Sequence, residues 1–259
     1  MTKVLINPGS SGEYGWHGCQ TLLLCPRKYA LDKAEHIKVE SPATVKGTLL
    51  HVGLAHHYAI LQNTGTDYYS PIEAMRVVAE QGDNQVYADC LETTEAALAA
   101  YIRHYNPEPW VPLDIEHVVK VKVDDYPYTQ RVDLTVTHRG KVYFVDHKTT
   151  FRLSGTTAQR YNLSGQMLGY SVIGKKMYGE RWGGVILNLI GWDGGFKRVP
   201  VEDAPGAEAS FRATVLWANK IRRMFEGQPA ADWPAAFHEH ACMTQYGPCA
   251  HRAWCQYGC

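Results

Sequence analysis

The stretch from Arg131 to Thr150, R-V-D-L-T-V-T-H-R-G-K-V-Y-F-V-D-H-K-T-T, decides the fold of this chain. It contains two apolar runs, Val132–Val136 and Val142–Val145, separated by a four-residue turn that ends in glycine. Apolar runs that flank a short glycine-containing turn are typical of a β-hairpin. The second run, Val-Tyr-Phe-Val, predicts a strand that is buried on both faces. We therefore expect this hairpin to form part of a central sheet.

Three polar residues interrupt the apolar pattern of the hairpin. Asp133 lies inside the first strand, and Asp146 and Lys148 end the second. Side chains two residues apart in a strand face the same side, so Asp146 and Lys148 should project together. Two carboxylates and an ammonium group beside a buried hairpin would be costly if they were unpaired. A divalent cation between the carboxylates would offset that cost, so the hairpin predicts a metal site.

The composition places limits on the class of protein. The 259 residues are enough for one large domain or two small ones. No apolar run approaches the roughly 20 residues that span a bilayer, and the first eight residues are too polar for a secretory signal. We expect a cytoplasmic protein without membrane contact. The formal net charge of zero argues against a non-specific electrostatic binder, but it does not exclude a local groove for nucleic acid.

Seven cysteines form the other informative feature of the composition. Without a signal peptide, disulfides are not expected, and a cluster of thiols near a terminus instead indicates a metal site. A helix is expected over Cys19–Lys33, and Pro26 predicts that it starts or kinks at Cys25. Four of the seven cysteines lie in the last eighteen residues, namely Cys242, Cys249, Cys255 and Cys259.

Glu116, in the strand before the hairpin, is a possible additional acid near the site, but the strand pattern favours an exposed carboxylate at a strand end.

The remaining patterns predict helices before the hairpin and both helices and strands after it. These elements predict an α/β protein with a mixed sheet flanked by helices. The expected helices are Gly47–Gln62, Pro71–Tyr105 with a break near residues 81–84, one that opens at Ser164, and Ala207–Phe225. The expected strands outside the hairpin are Ile115–Val123, Gly184–Ile190 and Phe196–Val201.

The spacing D-x12-D-x-K on a hairpin resembles the core of the PD-(D/E)XK nucleases. Other motifs resemble the RecB-like branch, which includes recombination exonucleases and CRISPR-associated adaptation nucleases. They are G-x-x-x-H at Gly47–His51, Q-x-x-x-Y at Gln166–Tyr170, and Cys25-Pro-Arg-Lys-Tyr together with the terminal cysteines. The resemblance extends from Cys25 to Cys255. It implies a restriction-endonuclease-like core with a mixed central sheet.

The same resemblance implies roles for individual residues. Mg²⁺ or Mn²⁺ would be held by His51, Asp133, Asp146 and the backbone carbonyl of His147. For His51 the alternative is a half-buried histidine with no metal role. Lys148 would orient or help to deprotonate the attacking water. Gln166 and Tyr170 would contact DNA or position the site. Separately from the resemblance, Lys175 and Lys176 could extend a phosphate track for nucleic acid, although a solvated face explains them equally well.

For the cysteines, the resemblance implies a [4Fe–4S] cluster that joins the N-terminal helix to the C-terminal tail. Zinc is the alternative metal, although the paired C-x2-C of common zinc ribbons is absent. The six-residue spacing after Cys242 departs from the tighter spacing of many relatives, so Cys19 and Cys259 are reserve ligands. The ligands implied by the resemblance are Cys25, Cys242, Cys249 and Cys255.

The resemblance implies a metal-dependent DNA exonuclease, rather than an endonuclease, in recombination, repair or phage DNA processing. Its substrate would be single-stranded DNA or duplex ends, and a homo-oligomer or a recombination partner protein would be compatible with that role. The alternatives are a CRISPR-adaptation nuclease and a non-catalytic DNA-binding or partner subunit of the same fold. We expect a single domain with a helical part over residues 1–110, a catalytic sheet over 111–206, and a helix with the cysteine cluster over 207–259.

Overall fold

The computed structural model describes residues 3–35, 40–82, 85–236, 239–244 and 247–257. These residues form two compact units, each built from separate stretches of the chain. The first unit takes its described residues from 1–10, 40–119 and 131–208, and the second from 11–39, 120–130 and 209–259. Each unit has its own cluster of buried apolar side chains.

Nine helices and seven strands occur within the described residues, together with three short 3₁₀ turns. The helices are α1 (Trp16–Leu24), α2 (Pro26–Glu35), α3 (Pro42–Gln62), α4 (Pro71–Gln81), α5 (Gln85–His104), α6 (Gly165–Tyr178), α7 (Pro205–Phe225), α8 (Glu239–Cys242) and α9 (Arg252–Tyr257). The strands are β1 (Val111–Val123), β2 (Tyr126–His138), β3 (Lys141–Thr150), β4 (Trp182–Gly191), β5 (Phe196–Pro200), β6 (Met243–Thr244) and β7 (Gly247–Pro248). No helix in this part of the chain is both long and apolar enough to span a bilayer.

The ends of the helices follow local capping chemistry. The predicted break at Cys25 is confirmed, because its extended backbone separates α1 from α2. Helix α3 begins five residues before the predicted start at Gly47. The hydroxyl of Ser41 accepts the backbone N–H of Thr44 at 3.3 Å, and the hydroxyl of Thr44 accepts the N–H of Ser41 at 2.8 Å. This reciprocal cap, followed by Pro42 at the first helical position, fixes the start of the helix.

The five large strands form one mixed sheet in the order β1-β2-β3-β4-β5. Strand β3 is antiparallel to β2 and parallel to β4, and β4 is antiparallel to β5. The hairpin turn between β2 and β3 uses Arg139 at φ 49° and Gly140 at φ 76°, which matches the twist of the flanking strands. Because parallel strands need a crossover connection, α6 lies between β3 and β4 in the chain. The predicted mixed sheet with flanking helices is confirmed.

Helix α3 is tightly packed within the first unit. A Cβ atom on Gly53 would lie 2.5 Å from the Leu98 side chain of α5 and 2.7 Å from the Met75 sulfur of α4. Only glycine allows this close approach without rearrangement. The neighbouring Leu50 and Leu54 are fully buried in the same apolar cluster. Close packing therefore holds α3, and with it His51, in a fixed position relative to the rest of the unit.

Candidate active site

Asp146 and Lys148 meet at the end of β3, as the strand alternation predicts. The ammonium nitrogen of Lys148 lies 2.7 Å from Oδ2 of Asp146, whose side chain is fully buried. Gln166, from the first turn of α6, closes a triangle with this ion pair. Its amide nitrogen donates to Oδ1 of Asp146 at 2.9 Å, and its amide oxygen accepts from Lys148 at 3.3 Å. The two charged groups are therefore held in one arrangement by a helix from the crossover.

Tyr170 fastens the same helix to the hairpin one turn further along. Its hydroxyl donates to the backbone oxygen of Arg131 at 2.7 Å and accepts from the amide of Gln166 at 3.3 Å. The side chain of Tyr170 is fully buried. The ring is enclosed and its hydroxyl bonds inside the protein. Of the two roles that the motif implies, contact with DNA or positioning of the site, this geometry favours positioning.

The backbone of His147 connects Asp133 on β2 with His51 on α3. The N–H of His147 donates to Oδ2 of Asp133 at 2.8 Å, and Nε2 of His51 lies 3.1 Å from the oxygen of His147. The other ring nitrogen of His51 lies 3.6 Å from Oδ2 of Asp133. Helix α3 thus meets the two strands of the hairpin, which brings His51, Asp133 and the His147 peptide together.

Glu116 also belongs to this group, although its sequence pattern favoured an exposed position. Its side chain is only 5% exposed, and Oε1 lies 4.0 Å from Nδ1 of His51. Arg131 lies 3.5 Å from the other carboxylate oxygen. The prediction of an exposed carboxylate was wrong because Glu116 has φ 49°, a left-handed conformation that interrupts the alternation of β1. No local pattern in the sequence signals this backbone change.

The ligand atoms of His51, Glu116 and Asp133 all lie within 4.8 Å of one another. In the part of the chain that the structure describes, no other His, Cys, Asp or Glu group of three or more meets this condition. Asp146 is outside the group. Its buried Oδ2 nonetheless accepts no hydrogen bond from a described residue, and its neighbour is the Lys148 ammonium. Carboxylate oxygens with one imidazole are a suitable ligand set for Mg²⁺ or Mn²⁺, so these residues fit a divalent cation.

The charges of the site also fit a cation. Burial raises the pKa of both Asp133 and Asp146, against the opposing effects of His51 and Lys148. Burial acts to lower the pKa of His51, but Asp133 and Glu116 outweigh it and raise that pKa to about 9. Lys148 likewise has a raised pKa, because Asp146 and Asp133 outweigh its burial. The carboxylates are therefore unfavourably desolvated, and a bound cation would relieve this cost.

A buried polar network lies behind the His147 ring and was not anticipated from the sequence. The amide nitrogen of Asn188 lies 2.8 Å from Nδ1 of His147 and donates to the hydroxyl of Tyr101, also at 2.8 Å. Arg198 donates to the same hydroxyl at 2.9 Å and to Glu108 at 2.6 Å. Burial lowers the pKa of His147 well below its usual range. The network holds the ring of His147 in its neutral form. The backbone of the same residue contacts both Asp133 and His51. Its one sequence signal is an asparagine inside an otherwise apolar strand.

The two lysines proposed for a phosphate track differ in their surroundings. Lys175 forms an ion pair with Asp203 at 2.8 Å, so part of its charge is already compensated. Lys176 is exposed on the last turn of α6. The structure does not place either lysine in contact with the residues of the hairpin site described above.

The four cysteines implied to bind a cluster line one small cavity in the second unit. None of them is in a disulfide. The N–H of Lys28 donates to the sulfur of Cys25 at 3.5 Å, and burial raises the pKa of the Cys249 thiol. The reserve ligand Cys19 lies instead in the apolar cluster of this unit, and Cys259 is outside the described residues. The four cysteines are Cys25, Cys242, Cys249 and Cys255.

Comparison with known families identifies this architecture. The chain belongs to the PD-(D/E)XK nuclease superfamily, whose sequence profile matches residues 18–256. Comparison with curated proteins finds no matching sequence.

Solved structures include similar chains. One is a candidate exonuclease from Eubacterium rectale, with a TM-score of 0.56 and 12% identity over 83% of this chain and 81% of that one. The protein SSO0001 has 16% identity over 81% and 88% of the two chains, with a TM-score of 0.31. At these identities the first likeness shows a shared fold alone, and the second is too weak to carry an argument.

Proposed function

We propose that this protein is a Mg²⁺- or Mn²⁺-dependent deoxyribonuclease of the RecB-like branch. The observation that carries the proposal is the group of His51, Glu116 and Asp133, whose ligand atoms lie within 4.8 Å of one another. This group adjoins the hairpin, which carries Asp133 together with the ion pair of Asp146 and Lys148. Membership of a nuclease superfamily supports the same conclusion. The substrate is DNA, whose phosphodiester is the bond that the superfamily's name implies.

The proposed ligands are those of the close group together with Asp146 and the carbonyl of His147. When bound, a divalent cation supplies positive charge to the scissile phosphate and lowers the pKa of a coordinated water. The protein's own contribution is to hold the carboxylates at fixed positions. Gln166 and Lys148 fix Asp146, and the N–H of His147 fixes Asp133.

Lys148 acts through its positive charge in this proposal. Since Asp146 and Asp133 raise its pKa, its amine is protonated near neutral pH and cannot take a proton from water. Its ammonium can donate a hydrogen bond to the attacking water or to a phosphate oxygen. With a quarter of its side chain exposed, Lys148 is accessible to such a group. We therefore assign Lys148 to orientation and charge compensation.

We further propose that the enzyme cleaves from DNA ends and processes those ends in recombination or repair. The exonuclease assignment is supported by the description of the similar Eubacterium rectale structure as a candidate exonuclease. A CRISPR-adaptation nuclease would use the same active-site residues, and the end-dependence tested below is shared by both roles.

We propose that the cysteine cavity of the second unit holds a [4Fe–4S] cluster. Four thiols around one cavity are the donor set that such a cluster takes. Zinc is the alternative, since four thiolates also form a structural zinc site. The paired C-x2-C of common zinc ribbons is absent from this spacing, which favours the cluster. The cluster would be structural, because it would tie Cys25 to the tail.

The decisive experiment is DNA hydrolysis with purified protein. Linear and circular single-stranded DNA, and linear duplex DNA, are incubated with EDTA, Mg²⁺ or Mn²⁺. We expect wild-type protein to degrade the linear substrates only with metal and to spare the circle. Asp146→Ala and Lys148→Ala should both be inactive. Equal hydrolysis by all three proteins would contradict the mechanism, and no hydrolysis by the wild type would leave the non-catalytic DNA-binding subunit as the better reading.

A further inference from the structure

The segment 151–163, which connects β3 to α6, carries an exposed aromatic side chain next to the candidate active site. Phe151 is 86% exposed, more than any other large apolar side chain in the described chain. Leu163, at the opposite end of the segment, is 70% exposed. Burial of a phenylalanine ring normally contributes favourably to folding, so an exposed ring this near a functional site can gain free energy by packing against a ligand.

The segment stays close to the site at both ends. Phe151 follows Lys148 by three residues, which in extended chain is roughly 10 Å. Near its other end, the ring of Tyr161 has its centroid 5.9 Å from the Lys148 ammonium. A strand whose phosphate reaches Lys148 would therefore lie within reach of both ends of this segment.

The backbone of the segment is ordered by internal bonds. The N–H of Trp192 donates to the oxygen of Thr150 at 3.0 Å, directly before Phe151. Further along, the N–H of Ser154 donates to the Thr157 hydroxyl at 2.9 Å, and the N–H of Thr157 donates back to Ser154 at 3.2 Å. Thr157 itself is buried. An anchored backbone presents Phe151 in a limited set of positions, which lowers the entropy cost of binding.

The charge of this part of the chain is positive, although the whole chain is formally neutral. Residues 147–179 contain five lysines and arginines and no aspartate or glutamate. Arg152 and Arg160 are both exposed in the segment, and neither forms an ion pair with a described residue. Positive charge beside an exposed aromatic ring complements a nucleic-acid strand, in which phosphates alternate with bases that stack on aromatic faces. A protein surface carries both signs of charge, so a protein partner would not require a segment that has arginines and no acidic residue.

We propose that the segment 151–163 binds an unpaired DNA strand, with Phe151 stacked on a base next to the scissile phosphate and Arg152 and Arg160 on its backbone. This rests on the proposed nuclease function and specifies its substrate, because a paired base has no free face for the ring. The protein would therefore act on single strands or on duplex ends that fray. Because Phe151 would contact the base and not the sugar or phosphate, an abasic nucleotide should remove the contribution of Phe151 to the binding affinity.

The test measures binding in EDTA, where hydrolysis does not contribute. Fluorescence anisotropy at low salt compares a single-stranded oligonucleotide with the same oligonucleotide made abasic over its terminal nucleotides. Phe151→Ala should bind the intact strand roughly 5- to 150-fold more weakly than wild type, the range for loss of one stacked base. Phe151→Trp should retain the affinity. Trp217→Ala removes an exposed aromatic side chain in the second unit and should change nothing.

Several results would overturn the proposal. These are unchanged affinity in Phe151→Ala, an equal loss on intact and abasic strands, and failure of the wild type to bind single-stranded DNA at all. A change of oligomeric state in Phe151→Ala by sedimentation would assign the surface to a second copy of the chain instead. Because binding is measured without metal, a protein that binds as expected but cleaves nothing would disprove the nuclease while leaving this surface in place.

Discussion

In the hairpin site, charged and polar side chains hold one another, whereas in the cysteine cavity the described hydrogen bonds to sulfur come from backbone N–H groups. Asp146 contacts both Lys148 and Gln166, and Asp133 accepts the N–H of His147. In the cavity, the N–H of Lys28 donates a weak bond to the sulfur of Cys25 at 3.5 Å, and the backbone of His251 bonds to the sulfur of Cys249. At the hairpin site, a metal ion would bind residues that are already held in position. In the cysteine cavity, the bound metal would itself hold the cysteines in position.

The two regions should therefore respond differently when a ligand is removed. The hairpin site should lose activity and keep its fold, because hydrogen bonds hold its residues before any cation binds. The cysteine cavity should lose its fold, because metal binding and folding are coupled where a site is not preformed.

Asp146→Asn should separate activity from stability. Removing the charge should lower Mn²⁺-dependent cleavage about 1,000-fold, as expected for a group that stabilises developing charge. The free energy of unfolding should fall by at most about 2 kcal/mol, because release from burying a carboxylate offsets much of the attraction to Lys148 that is lost. Cleavage rates and urea unfolding in EDTA measure the two quantities. Asp203→Asn, which removes the exposed acid paired with Lys175, is the control and should alter neither.

Cys249→Ser should remove the metal and destabilise the second unit. The loss of metal-linked folding energy should reach about 3 kcal/mol or more and lower the melting temperature by roughly 10 °C. Iron analysis, absorption near about 400 nm and calorimetry measure the effect. Cys90→Ser changes a buried cysteine of the first unit, whose thiol donates to Pro42 at 3.6 Å. If both variants kept the same iron content, the cavity would not be the metal site.

Asn188→Leu should weaken metal binding or activity at the hairpin site by removing the support of the His147 ring. It leaves Nδ1 of His147 and the hydroxyl of Tyr101 without the amide, so the His147 peptide loses its support. Loss of such a supporting group typically lowers metal affinity or activity 10- to 100-fold, and we expect about that range. Asn219→Leu is the matched control, since Asn219 is a buried asparagine of the second unit that bonds to backbone oxygens. It should reduce stability without altering cleavage per folded molecule, and equal losses in both variants would point to a purely structural role for Asn188.

Acid should destabilise the first unit through His56, one turn along α3 from His51. Nε2 of His56 accepts the N–H of Ile6 at 2.8 Å, and Nδ1 lies 3.0 Å from the oxygen of Tyr69. Burial lowers the pKa of His56, so below about pH 6.5 the unfolded chain takes up a proton more readily than the folded one. Its contribution is complete well above that pH and should decrease by at most about 1.4 kcal/mol by pH 5.5.

Urea unfolding at several pH values measures this slope. His56→Gln should flatten the slope in this range, and the exposed His117→Gln should not. A wild-type slope that is unchanged by His56→Gln would show that other groups carry the acid sensitivity.

The parts of the site that the sequence could predict are those set by local geometry. The hairpin, its turn, and the shared face of Asp146 and Lys148 follow from strand alternation over a few residues. The pairing of Gln166 with Tyr170 follows from helix periodicity in the same way. These contacts depend on neighbours in the chain, so a single sequence contains enough information to predict them.

The parts that escaped prediction depend on long-range packing or on an irregular backbone. Asn188 contacts His147 across 41 residues and Tyr101 across 87, and no pattern in the sequence specifies either pairing. Glu116 escaped because one left-handed residue turned its side chain inward. The early start of α3 escaped because Ser41 and Pro42 read as a linker, although together they form a helix cap.

The most direct test of the central claim is a titration of Mn²⁺ into wild-type protein and into Asp133→Asn, followed by calorimetry. The account predicts that the wild type binds one or two ions at the hairpin site, and that Asp133→Asn binds them at least about 10-fold more weakly while keeping its fold. Equal affinity in the two proteins would contradict a cation site on the hairpin, and with it the proposed hydrolysis.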